Sequence, residues 1–98
     1  MEQLLKNYLD HEGKLKSFPS KRKLKVAAMF YISASISEGV RYTEKEMNEV
    51  INSRCCFNDA ALLRREMYDY RFINRTNDGR LYWKEEVQPL PEQFDLAT

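Results

Sequence analysis

The sequence predicts an α+β domain, mainly helical and closed by a C-terminal two-stranded β-hairpin, in the outline of a winged helix. Three segments between residues 20 and 70 carry apolar residues at helical spacing. A basic ribbon follows, Phe72 to Thr76 and Arg80 to Lys84, around the turn residues Asn77-Asp78-Gly79. The last helical segment, Asp59 to Tyr70, carries Arg64 and Arg65 and leads straight into that ribbon.

Ninety-eight residues fit one domain with a modest core. The chain divides into an N-terminal amphipathic helix (1–13), a winged-helix-like body (14–84) and an acidic, proline-containing tail (85–98). In the first part, Leu4, Leu5, Tyr8 and Leu9 recur at helical spacing, and Gly13 marks the break. These four side chains form an apolar seam suited to a homodimer or a regulatory protein partner. Lys14 to Pro19 reads as an extended connector, because a proline disfavours helical backbone in the residue before it, and Phe18 is its anchor.

Ser20 is the expected cap of a long helix reaching about Ser37. It starts with Lys21, Arg22, Lys23 and Lys25 and continues apolar on most faces, the pattern of a central helix. Arg41-Tyr42 is a short extended piece, and Thr43-Glu44-Lys45-Glu46 has the capping-box spacing that opens the next helix. Met47, Val50 and Ile51 give that helix its inward face. Asn58 or Asp59 caps the third helix, whose stripe of Ala60, Leu63, Met67 and Tyr70 faces the core. Its opposite face presents Ala61, Arg65 and Tyr68, with Arg64 on the flank. A three-residue turn at Asn77-Asp78-Gly79 pairs Ile73 with Trp83 and Arg75 with Leu81.

Charge is segregated. Up to Lys84 the chain has 16 Lys and Arg against 11 Asp and Glu, a body of about +5; the last 14 residues hold four carboxylates and no cation. A basic body suits an anionic partner. The N-terminus has neither the apolar run nor the cleavage site of a secretory signal, and no stretch reaches the length of a membrane span, so a cytoplasmic location and no membrane partner are expected. Cys55 and Cys56 are adjacent, a poor disulfide geometry and too few ligands for a metal, and read as one buried and one partly exposed thiol. With His11 as the one histidine and no nucleophile or phosphate-loop motif, neither enzyme activity nor a cofactor is expected.

The remaining candidates are basic and aromatic. Arg65, Arg64 and Tyr68 can reach bases or phosphates from the third helix, Arg75 and Arg80 can grip backbone from the hairpin, and Lys21, Arg22 and Lys23 can add phosphate contacts. DNA is the expected partner. The alternative is a protein–protein interaction or regulatory accessory module whose basic face is incidental.

Phe18-Pro19-Ser20-Lys21, Arg41-Tyr42-Thr43-Glu44-Lys45-Glu46-Met47-Asn48, Asp59, Leu63-Arg64-Arg65-Glu66-Met67 and Gly79-Arg80-Leu81-Tyr82-Trp83 together give a further clue. In these, residues 14–84 resemble the bacterial domain of unknown function 2087 family, which occurs alone or attached to helix-turn-helix regulators. The resemblance implies a winged-helix-like fold and an association with transcription regulators, and no established activity.

Overall fold

The computed structural model describes residues 2–96. Its elements run α1 (Arg22–Ser33), β1 (Tyr42–Thr43), α2 (Glu44–Asn52), α3 (Ala60–Asp69), β2 (Ile73–Arg75) and β3 (Leu81–Lys84). The strands form one antiparallel sheet in the order β1-β3-β2. Three helices with a small sheet of this order are compatible with a winged-helix-like fold.

The core explains the order of elements. On α1, Val26, Ala27, Ala28, Met29 and Ile32 are fully buried, as its apolar circumference requires of a central helix. Met47 and Ile51 from α2, and Ala60, Leu63 and Met67 from α3, close against the same core. The capping box that opens α2 is complete: the Thr43 hydroxyl accepts from the Glu46 amide at 3.1 Å, and the Glu46 carboxylate accepts from the Thr43 amide at 2.8 Å. Asp59 occupies the N-cap position of α3, yet neither it nor Asn58, which has φ +50, makes a side-chain cap bond. Similarly, Lys21 rather than Ser20 occupies the N-cap position of α1, with no side-chain cap bond, and the helix ends at Ser33, short of Ser37.

The N-terminal segment differs most from expectation. Residues 2–9 form turns and a single 3₁₀ turn, Lys6–Tyr8, in place of an amphipathic α-helix. Leu5 is fully buried, and Leu4, Tyr8 and Leu9 pack against the same core, so this seam is not an exposed surface. Helical spacing brings four apolar side chains to one side whether the backbone winds tightly or loosely; here the chain doubles back instead. Leu9 bridges to Leu15, Leu15 bridges to Cys55, and the Tyr31 hydroxyl donates to the Gly13 carbonyl at 2.6 Å. Gly13 has φ +78, and a Cβ there would lie 3.1 Å from that hydroxyl, so both conformation and space call for glycine.

The hairpin register is shifted by one residue. Ile73 faces Lys84, Asn74 faces Trp83 and Arg75 faces Tyr82, in place of Ile73 with Trp83 and Arg75 with Leu81. The cause is a four-residue loop: the Thr76 amide donates to the Leu81 carbonyl at 3.0 Å, and the Gly79 amide closes the turn onto Thr76. Asp78 holds that loop by accepting from the Thr76 hydroxyl at 2.7 Å and the Arg80 amide at 3.1 Å. Both donors hold the Asp78 carboxyl below its ordinary pKa, the Thr76 hydroxyl foremost. A one-residue slip exchanges the faces of a strand. Tyr82 therefore turns inward, while Trp83 turns outward beneath the Arg41 guanidinium, 3.8 Å from its ring centroid. The strand β1, read only as a short extended piece from the sequence, completes the sheet on that side.

The tail packs on the body. Gln88 donates to the carbonyls of Phe72 and Glu85 at 2.9 and 2.8 Å and accepts from Ser33. Phe94 then meets Phe30 and Tyr70, and Leu96 is buried. These contacts lie along α1 and the C-terminal end of α3, away from the face carrying Arg65.

Candidate nucleic-acid interface

A groove of about 330 Å³ opens between the outward face of α3 and the inward face of the hairpin, lined by Ala61, Arg64, Arg65, Tyr68, Asp69, Arg75 and Tyr82. Two features of the backbone assemble it. The i, i+3, i+4 spacing on α3 aligns Ala61, Arg64, Arg65 and Tyr68 along one side. The observed hairpin register then makes Arg75 and Tyr82 cross-strand neighbours on the sheet face that meets them.

Within the groove the arginines are held differently. Arg64 is largely buried: it donates to Glu44 at 2.8 Å and to Asn48, with its guanidinium 5.3 Å above the Tyr82 ring. It ties α3 to the start of α2. Arg75 lies 5.1 Å above the Tyr68 ring and donates to the carbonyls of Thr76 and Asn77, each at 3.3 Å. Arg65 is exposed and has neither an ion pair nor a hydrogen bond among the described residues. Glu66, on the neighbouring flank, is engaged by Lys25 at 3.3 Å rather than by an α3 arginine. The groove thus gathers three guanidinium groups around one carboxylate, Asp69.

The other basic candidates fall elsewhere. Arg80 projects from the wing tip with its side chain 86 % exposed and is loosely paired with Asp78 at 3.6 Å. Lys21, Arg22 and Lys23 are exposed at the start of α1, but none lines the groove. Arg22 instead covers Tyr70 and Phe94 at 5.9 and 5.4 Å. Tyr82, not singled out from the sequence as a site residue, is buried and also lines the groove. The signal for it was the loop length, since a four-residue loop brings Tyr82 to the inward face.

Residues 14–84 match the family described as uncharacterized protein conserved in bacteria (DUF2087). The chain belongs to this family. No curated protein and no solved structure matches the chain. The DUF2087 match spans α1, α2, α3 and all three strands among the described residues, from before α1 to the end of β3, and so contains the whole groove. No helix among the described residues is long and apolar enough to cross a membrane.

The two cysteines lie on the α2–α3 turn, beside the N-terminal segment, and do not line the groove. Cys55 is buried, which with the neighbouring Cys56 pushes its thiol up to about 12. Cys56 is exposed but donates to Asp10 at 3.2 Å, a hydrogen bond that raises its pKa as well. Because the thiolate is the reactive form, raised pKa values slow alkylation at neutral pH. Cys55 is expected to resist iodoacetamide until the chain unfolds, and Cys56 to react slowly and faster in Asp10→Asn. Equal modification of Cys55 in native and unfolded protein, followed by mass spectrometry, would contradict this placement.

Proposed function

We propose that this protein binds duplex DNA through the α3–hairpin groove as a winged-helix-like regulator of transcription, and that it is a binding protein rather than an enzyme. The observation that carries this reading is Arg65: exposed and without an ion pair among the described residues, it stands in a groove with Arg64 and Arg75. With Arg64 neutralised by Glu44, Arg65 and Arg75 set two cations against the single carboxylate of Asp69, a positive balance that an anionic backbone complements. Tyr68 adds a hydroxyl able to donate to a phosphate oxygen. Beyond Glu85, which shares a pocket with Tyr68 and Asp69, the acidic tail packs along α1 and the C-terminal end of α3, and none of its residues lines the groove. The interaction-module alternative draws on a seam at Leu4, Leu5, Tyr8 and Leu9, of which Leu5 is fully buried and the other three are partly buried against the core.

Arg65→Ala is expected to weaken binding to a fluorescently labelled duplex by about tenfold or more at low salt. Its melting temperature should stay within a degree or two of the parent, because Arg65 holds nothing together. An unchanged affinity would count against this groove as the DNA-binding face.

A further inference from the structure

We infer that the groove holds duplex DNA by its phosphodiester backbone and reads almost no base sequence. This rests on the nucleic-acid reading above and concerns what the same groove recognises. Sequence is read by side chains that present free, directional donors or acceptors to base edges, whereas phosphate contacts position the protein without discriminating.

The free directional groups on α3 can be enumerated. Ala61 offers a methyl group, able to touch a thymine methyl and nothing more. Arg64 has both of its terminal nitrogens engaged, one by Asn48 and the other by Glu44, and its side chain is 15 % exposed. Tyr68 has one ring face covered by Arg75, leaving chiefly its hydroxyl to donate. Arg65 alone presents an unoccupied guanidinium fork, the geometry that recognises guanine with two parallel hydrogen bonds. Asp69, exposed at the groove and without a hydrogen bond from its side chain among the described residues, repels phosphate and can accept from a single cytosine amino group.

The hairpin contributes charge rather than readout. Arg75 has one terminal nitrogen turned onto the carbonyls of Thr76 and Asn77, which leaves the other for a single phosphate contact. Arg80 stands at the wing tip, paired only loosely with Asp78. Asn58 and Asp59, before α3, do not line the groove.

One bidentate arginine distinguishes its base from the others by about 5- to 150-fold. Dedicated sequence-specific binders exceed their nonspecific binding by at least about 1,000-fold. The full chain, presented with a randomised duplex library and then with a panel of equal-length duplexes at fixed salt, should show a spread of Kd below about 150-fold per bound chain. Whatever preference exists should centre on one G·C pair and vanish in Arg65→Ala, while Arg75→Ala should weaken all duplexes by a similar factor. A selected site of several fixed base pairs, bound more than about 150-fold above unrelated duplex, overturns this inference and leaves the DNA-binding reading standing. Failure to bind any duplex at low salt overturns both.

Discussion

Phe72→Ala is expected to destabilise the protein by about 3–5 kcal/mol. Phe72 is fully buried, and its ring meets Phe30 edge to face at a centroid distance of 4.8 Å and 88°. Its backbone does further work: the Phe72 carbonyl accepts from the Gln88 side chain and the Glu85 amide, so the tail docks on the residue that anchors the hairpin to α1. Truncation therefore opens a cavity where three parts of the chain meet. Domains of this size are stable by only about 5–15 kcal/mol, so the loss removes a large share of the total. The melting temperature should fall by more than about 10 °C, and Phe72→Leu should lose far less. A loss below about 1 kcal/mol by urea denaturation would show that the site is not packed as described.

Leu5→Ala is expected to cost about 2–5 kcal/mol, the range for a fully buried leucine. The size of this effect separates two accounts of the N-terminal segment. As a free apolar seam awaiting a partner, Leu5 would contribute nothing to the stability of the isolated chain, and its truncation would be neutral or improve solubility. As part of the core, with Leu9 bridged to Leu15 and Leu15 to Cys55, it is needed to cover the turn between α2 and α3. Chemical denaturation of the variant decides between them. A change within about 0.5 kcal/mol, the range for surface substitutions, would return the segment to the surface.

Much of this architecture was legible in the sequence, and the failures share a cause. The capping box at Thr43, the inward stripe Ala60-Leu63-Met67 and the central, apolar α1 are local signals that tertiary packing reinforces. The outward direction of Arg65 follows from the same helical geometry. What the sequence did not disclose depended on distant partners. The spacing of Leu4, Leu5, Tyr8 and Leu9 suggested a helix, but Leu15 and the α2–α3 turn offered them a better surface. The hairpin register turned on one residue of loop length, set by the Thr76–Asp78 hydrogen bond, and the expected pairing of Ile73 with Trp83 gave way because Arg41 covers Trp83 from β1's side of the sheet. Arg64 was placed on the flank of α3, yet nothing in its own segment revealed that Glu44 and Asn48 would claim it. Lys21, Arg22 and Lys23 share a charge with the groove without sharing its location, which charge counting alone does not separate.

The central claim is that the α3–hairpin groove is an anion-binding face for duplex DNA. It is tested most directly by the affinity of the full chain for a generic duplex as salt is raised. With Arg75 and Arg80 each meeting a phosphate and Arg65 a phosphate or an adjacent base edge, log Kd should rise with log salt at a slope of roughly 2–3, since each phosphate neutralised releases about 0.9 counterion. Arg75→Ala should lower that slope by about 1. Absence of duplex binding at low salt, or binding indifferent to salt and to Arg65 and Arg75 alike, would contradict the account.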